Sequence, residues 1–169
     1  LVQNRDFENG NDGWRGYEGG TIENVVTTED GRENHILHVK ERTGTSSSAM
    51  YDLSGKLEEG TTYHITGRIK YTTGVAEKDF HVMFQNVPDN PQYPTNEYRP
   101  LVGKKKKKKG EWATFEFTYT AGMHYLWGNK DNPRPFGTKQ NYFFIETEWK
   151  ASTTKEEDLM DYYLDDISI

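Results

Sequence analysis

The chain closes on Tyr162-Tyr163-Leu164-Asp165-Asp166-Ile167-Ser168-Ile169 and opens with Asn4-Arg5-Asp6-Phe7-Glu8, followed by Gly13-Trp14-Arg15. Both ends read as short strands in which apolar and polar residues alternate, with acidic residues at the strand edge. Many further strands lie between them. This arrangement predicts a β-sandwich in which the two ends of the chain meet.

Period-two alternation recurs along the chain and is clearest where Tyr63, Ile65, Gly67, Ile69 and Tyr71 alternate with polar residues. Turn signals such as Asp30-Gly31 and Glu59-Gly60 separate the segments. Only residues 154–160 look briefly helical. The pattern predicts an all-β fold, a sandwich or jelly roll, with further strands around Ile36 to Val39, Met50 to Leu53, Phe80 to Phe84, Trp112 to Tyr119 and Tyr142 to Glu148.

Length and charge restrict the function. The 169 residues suit one domain, spanning residues 1–169, and the net charge of -6 disfavours nucleic-acid binding. Cysteine is missing from the sequence, and no apolar run is long enough to span a bilayer. Because no signal peptide precedes Leu1, we expect a monomeric module excised from a larger secreted protein, with no membrane partner.

Aromatic residues make up 14% of the chain, more than core packing alone requires, which suggests exposed rings that bind a ligand. Two long loops, residues 86–100 and 121–141, carry several of these rings. The alternative for both loops is an insertion without function.

Seven segments in order resemble the carbohydrate-binding modules of families 4, 9 and 22, and most closely family 22, the xylan-binding modules of xylanases. The segments are Phe7-Glu8, Gly13-Trp14, residues 37–43, residues 57–63, Gly110-Glu111-Trp112, Phe144-Ile145-Glu146 and residues 163–167. The resemblance implies a galactose-binding-like jelly roll of two antiparallel sheets. It also implies a cleft for β-linked plant polysaccharide and a structural Ca²⁺ elsewhere.

The resemblance assigns cleft roles to Arg15, Tyr98 and Glu146. The family's tryptophan after the Arg-Thr pair is missing, since Arg42-Thr43 leads into a serine run. An aromatic ring stacks on the C–H face of a sugar while planar polar groups bond its hydroxyls. We therefore predict that Trp127 or Trp149 takes over the stacking. The alternative for each is a loop anchor on the sandwich edge. Trp14 and Trp112 are assigned to the core.

The resemblance implies that the calcium site lies where the two ends of the chain meet. Glu8 and Asp165 would converge there, and the loop of residues 30–35 offers Glu33 and His35. Calcium takes several hard oxygen ligands, including carboxylates and backbone carbonyls. By alternation, Asp166 should face away from Asp165. The alternative is that the acidic residues only cap strand ends.

No catalytic motif is found: the five histidines lack zinc spacing, and G-x-S-x-G and P-loop patterns are missing. Glu146 and Glu148 lie two apart on one strand, whereas a glycosidase places its carboxylates on either side of the scissile bond. We predict a non-catalytic module that binds xylan or mixed-linkage β-glucan and targets an attached glycoside hydrolase. The alternatives are an inter-module domain that has lost sugar binding and a small glycanase or lyase.

The run Lys104 to Lys109 is predicted to be a solvated loop, although binding of an acidic polysaccharide is the alternative.

Overall fold

The structure, a computed structural model, describes residues 1–2, 5–11, 13–87, 97–100, 106–122, 124–125, 131, 133–134, 136–137, 139–147 and 155–169. Within these ranges the chain forms thirteen strands and one turn of 3₁₀ helix. The strands build two larger antiparallel sheets and a two-stranded ribbon. The predicted β-sandwich is confirmed.

The first sheet has the order β1-β4-β12-β6-β7, with β8 attached to β6. All of its pairings are antiparallel. Its central strands are distant in sequence, so the sheet forms only when both halves of the chain come together. The strands are β1 (Trp14–Tyr17), β4 (Ser48–Asp52), β6 (Glu77–Val87), β7 (Glu97–Pro100), β8 (Lys106–Lys108) and β12 (Gln140–Thr147).

The second sheet has the order β2-β3-β13-β5-β9 and is also antiparallel. Its first two strands are joined by the turn Asp30-Gly31, in which both residues have positive φ, 49° and 76°. Two positive φ values match the right-handed twist of a hairpin. The strands are β2 (Thr21–Glu29), β3 (Arg32–Lys40), β5 (Thr62–Lys70), β9 (Ala113–Thr120) and β13 (Tyr162–Ser168), and the ribbon is β10 (His124–Tyr125) with β11 (Pro133–Arg134).

The core lies between the two larger sheets and is rich in aromatic rings. Trp14 packs on Tyr51 and on Phe143, with ring centroids 5.4 and 6.1 Å apart. Phe84 of β6 stacks on Tyr119 of β9 with centroids 4.4 Å apart, which joins the two sheets directly. A few large rings thus supply burial that the low apolar content of 33% would not suggest.

The two ends of the chain meet, as predicted, but the opening segment is not a strand in its described part, residues 5–11. The N-terminal amine of Leu1 bonds the carbonyl of Ile169, and the amide of Ile167 donates to the carbonyl of Arg5 at 2.8 Å. Phe7 has a φ of 56°, which breaks an extended conformation, and its ring is fully buried. Phe7 therefore anchors a loop rather than a strand.

The predicted helical segment is one turn of 3₁₀ helix, Glu156–Asp158. Asp158 pairs there with Lys78 in a buried ion pair. The buried guanidinium of Arg42 donates to the carbonyls of Asp158, Met160 and Ser47 at 2.8–3.0 Å. Arg42 therefore ties the loop before β4 to the segment before β13.

The lysine run is not simply a loop. Lys106–Lys108 forms β8 and pairs with Glu77 to Asp79 of β6, while Lys104 and Lys105 lie outside the described residues. In the part of the chain that the structure describes, no helix has the length and apolar character needed to cross a membrane.

Candidate carbohydrate-binding face

The outer face of the first sheet, turned away from the core, carries the residues with binding chemistry. Strand register places Arg15 beside Met50, Met50 beside Phe144, and Phe144 beside Met83. Because side chains alternate across a strand, residues two positions away share this face. We call it the outer face of the first sheet; its described members include Arg15, Tyr17, Ser48, Met50, His81, Met83, Gln85, Tyr142, Phe144 and Glu146.

The centre of this face is apolar. Met50, Met83 and Phe144 form a cluster separate from the main core, each at most 6% exposed, and Tyr17 and Tyr142 pack against it. The Tyr17 and Phe144 ring centroids lie 5.2 Å apart. An apolar, aromatic floor on the outside of a sheet is the kind of surface on which the C–H face of a sugar ring can lie.

Polar groups frame this floor. The hydroxyl of Tyr17 donates to Oε1 of Gln85 at 2.9 Å, so the Tyr17 ring spans from β1 to β6. Arg15 is exposed, with its Cζ 5.5 Å from the centroid of the Tyr142 ring. An exposed guanidinium resting on a ring is a planar donor held in position.

Glu146 is the most perturbed carboxyl on the outer face. It lies opposite His81 in the β12–β6 register and is only 7% exposed. Burial raises its pKa to about 7, although the nearby positive charge of Arg42 acts in the opposite direction. The described residues supply no hydrogen-bond partner to its carboxylate. Such a group gains from a ligand hydroxyl, which would replace the lost water.

A second polar group on this face is also unsatisfied. Ser48 of β4 pairs with Tyr17 of β1, and its hydroxyl is buried without a hydrogen-bond partner. Because a hydroxyl can both donate and accept, Ser48 adds a second hydrogen-bonding group to the face that carries Glu146.

The structure describes the backbone of only one of the three other predicted ligand-binding aromatic residues, Tyr98. The backbone of Tyr98 pairs with Gln85, which places this position on β7 beside the outer face. Trp127 and Trp149 lie outside the described residues, as does Glu148. Their stacking role stays a prediction.

The loop without the family's tryptophan is held by small polar residues. Ser47 is fully buried; its Oγ accepts from the amides of Thr43 and Gly44 at 3.1 and 3.0 Å and donates to the carbonyl of Glu18 at 2.6 Å. A large ring at position 47 would break these three bonds.

Sequence reasoning missed Tyr17, Tyr142, Phe144 and Gln85. Three of them were accessible by alternation, since Tyr17 lies two residues after Arg15, and Phe144 and Tyr142 lie two and four residues before Glu146. Gln85 required the pairing of β6 with β12, which no local pattern encodes.

Of the two tryptophans assigned to the core, Trp14 is confirmed at 5% exposed, whereas the assignment of Trp112 is wrong. Trp112 is half-buried directly before β9, with Cζ of Arg68 4.5 Å from its ring centroid. It therefore lies on the outer face of the second sheet.

The four expected calcium ligands separate into two groups. His35 donates its amide to Glu8 at 3.2 Å, and its ring Nε2 lies 3.4 Å from Glu33 and 3.8 Å from Glu8. Asp165 lies apart: its Oδ2 accepts from Arg68 at 2.6 Å and from Asn34 at 3.0 Å, and its Oδ1 from the amide of Asp166.

The four side chains do not form a calcium site by themselves. Calcium takes six to eight oxygens, yet both oxygens of Asp165 are occupied by nitrogen donors. Among the described residues, no group of three or more acidic or histidine side chains is placed to hold a metal. Calcium at this corner stays a prediction from the family resemblance.

Asp166 also differs from its expected orientation. A register irregularity between Asp165 and Ser168, with Asp166 at a φ of 53°, interrupts the alternation of β13. As a result Asp166 Oδ2 lies 3.1 Å from Nε of Arg68, on the same guanidinium as Asp165. One cation therefore serves two neighbouring carboxylates.

The two antiparallel sheets packed around one core define a β-sandwich protein. The family model described as a carbohydrate binding domain, CBM_4_9, matches residues 1–129, and the chain belongs to this family. The predicted family membership is confirmed.

Two enzymes contain a related segment. The chain is 26% identical over 174 residues to endo-1,4-beta-xylanase A of Thermoanaerobacterium saccharolyticum and to exoglucanase XynX of Acetivibrio thermocellus. The match covers 100% of this chain but spans only 13% and 14% of the two enzymes. This chain therefore corresponds to a small part of each.

Solved structures share the fold. The CBM22-2 xylan-binding domain from Paenibacillus barcinonensis Xyn10C superposes with a TM-score of 0.77 at 22% identity, covering 97% of this chain and 95% of that domain. The CBM22-1 xylan-binding domain of the same protein gives a TM-score of 0.72 at 16% identity, covering 96% and 88%.

Proposed function

We propose that this chain is a non-catalytic module that binds β-linked plant cell-wall polysaccharide of the xylan or mixed-linkage β-glucan type. The site is the outer face of the first sheet. The module holds an attached catalytic module of a secreted glycoside hydrolase close to its substrate. Two relatives named as a xylanase and an exoglucanase contain the matching segment, which supports this context.

The observation that carries the proposal is the desolvated carboxyl of Glu146 on the same face as an aromatic floor. Sugar rings present an apolar C–H face and a rim of hydroxyls. The half-buried rings of Tyr17 and Tyr142, which pack on Phe144, supply the surface for the C–H face. Glu146 supplies an acceptor and Arg15 a donor for the hydroxyls.

The positions of the carboxyl groups on the outer face favour binding over catalysis. Glycoside hydrolysis uses two carboxyl groups flanking the scissile bond, about 5–9.5 Å apart. Asp52 also lies on this face, opposite Tyr142 and four residues along β12 from Glu146, which is about 13 Å of strand. The purified domain is therefore expected to release no reducing ends from xylan or β-glucan.

Affinity electrophoresis tests the proposal. The wild type should be retarded in gels that contain xylan or mixed-linkage β-glucan, and Glu146→Ala should reduce the retardation about tenfold or more. Glu116→Ala is the matched control, because Glu116 is an exposed glutamate on the second sheet whose carboxylate lies 2.8 Å from His64. It should migrate as the wild type does.

The competing function is an inter-module domain without sugar binding. The missing tryptophan in the loop after Thr43 motivates it. Unretarded migration of the wild type in xylan, mixed-linkage glucan, cellulose-derivative, mannan and pectin gels would support that alternative and overturn ours.

A further inference from the structure

A concave site lies on the other side of the core from the first sheet. A cavity of about 480 Å³ opens on the outer face of the second sheet, and none of its lining residues belongs to the outer face of the first sheet. This volume is within the range of ligand pockets. The lining includes Glu29, His38, Lys70, Trp112 and Tyr163, together with three threonines.

Two aromatic side chains line the cavity, and each is in contact with neighbouring side chains. Tyr163 stacks on His38 with centroids 4.6 Å apart and ring planes at 17°. Trp112 carries the guanidinium of Arg68 at 4.5 Å and the ammonium of Lys70 at 5.7 Å from its ring centroid. Rings fixed by stacking and cation–π contacts lose little freedom when a ligand packs on them.

Hydrogen-bonding groups of both kinds surround these rings. The threonines at positions 27, 28 and 72 carry hydroxyls that donate and accept, Lys70 carries three N–H donors, and Glu29 carries acceptors. Aromatic surface together with many short hydroxyl and charged groups matches a ligand with C–H faces and several hydroxyls.

The charges indicate a neutral ligand. Glu29 accepts from both terminal nitrogens of Arg68, at 2.7 and 2.6 Å, while Asp165 and Asp166 contact the same guanidinium. His38 lies 2.9 Å from Asp161. Positive groups around the cavity are thus balanced or outnumbered by carboxylates, so an anionic ligand gains no net attraction.

We propose that this cavity is a second binding site for a neutral oligosaccharide, on the sheet opposite the first site. The inference rests on the proposed function for the class of ligand, but it uses none of the residues of the first site. Trp112 and Tyr163 pack on sugar rings, while Lys70, Glu29 and the threonines bond hydroxyls. Two sites on opposite faces would let one module contact two polysaccharide chains, which raises avidity.

Chemical-shift mapping on the isotope-labelled chain tests the proposal with xylohexaose and cellohexaose as probes. The indole N–H resonance of Trp112 is assigned by its loss in Trp112→Phe. In the Glu146→Ala variant, where the first site is weakened, this resonance and the amides of Lys70 and Tyr163 should still shift at up to about millimolar probe. Trp112→Ala should weaken the response at Tyr163 about tenfold, and Trp112→Phe less.

The shifts distinguish failure of the second site from failure of the proposed function. Shifts near Glu146 in the wild type with an unmoved Trp112 indole would overturn the second site and leave the proposed function standing. Unmoved resonances at both places would overturn both. A Trp112 response confined to a glucuronic-acid-bearing xylo-oligosaccharide would overturn the neutral ligand inferred here.

Discussion

Arg68 bonds Asp165 at 2.6 Å, in the corner where the ends of the chain were expected to share a calcium ion. Asp165 is 1% exposed, and the same guanidinium contacts Glu29 and Asp166. The pKa of Arg68 is raised, mainly by its hydrogen bonds to Glu29, so its charge is permanent. An internal cation therefore neutralises these three carboxylates.

Chelation tests whether Arg68, rather than a calcium ion, compensates the charge of Asp165. Treatment with EDTA should leave the melting temperature within about 1 °C, because Arg68 already compensates Asp165. Arg68→Ala should lower the free energy of unfolding by about 3–5 kcal/mol, since it leaves a buried carboxylate unpaired. Thermal unfolding followed by circular dichroism measures both, with the exposed Arg32→Ala as control. A clear fall in melting temperature with EDTA, restored by Ca²⁺, would reinstate the calcium prediction.

The raised pKa of Glu146 predicts a pH-dependent stability. Its pKa is about 7 in the folded protein against 4.5 for an unperturbed group, so the folded state holds a proton that the unfolded state has lost. The contribution of Glu146 to the free energy of unfolding is therefore highest below pH 4.5. This contribution falls as the pH rises from 4.5 to 7.

The difference of about 2.5 pH units corresponds to about 3 kcal/mol at most. Urea unfolding of the wild type and of Glu146→Gln at pH 5 and pH 8 measures it. The glutamine variant should be the more stable of the two proteins at pH 8, with a smaller difference at pH 5. Equal dependence on pH in both proteins would show that Glu146 titrates normally.

Tyr17 should contribute to binding mainly through its ring. Tyr17→Ala removes the ring from Phe144 and should weaken xylohexaose binding about tenfold. Tyr17→Phe keeps the ring and removes only the bond to Gln85, so its loss should be about threefold or less. Titration calorimetry separates the two. Equal losses for both variants would assign the effect to the hydroxyl instead.

Gly67 has a steric role in the core. A Cβ at this position would lie 2.4 Å from Cζ of Phe115 and 2.5 Å from Cδ1 of Ile167. Gly67→Ala should therefore destabilise the fold by about 1–3 kcal/mol through overpacking. Gly122→Ala is the matched control, because nothing lies within 4 Å of its Cβ. Chemical denaturation that finds the two variants equally stable would contradict this role.

Part of the proposed binding face could be predicted from the sequence. Arg15 and Glu146 were identified by resemblance, and the period of two then places Tyr17, Tyr142 and Phe144 on the faces of those strands. The burial of Glu146 could not be predicted from the sequence. Desolvation depends on all the groups that surround a side chain in space, and not only on its neighbours in the chain.

By itself the sequence determined strands β3, β4, β5, β6, β9, β12 and β13 and the meeting of the chain ends, because alternation and turn residues act over a few positions. The tertiary structure alone decided that β4 lies between β1 and β12, that Trp112 faces outward, and that the irregularity after Asp165 turns Asp166 toward Arg68. These features arise from pairing between distant segments, whose free energy depends on contacts that no local pattern contains.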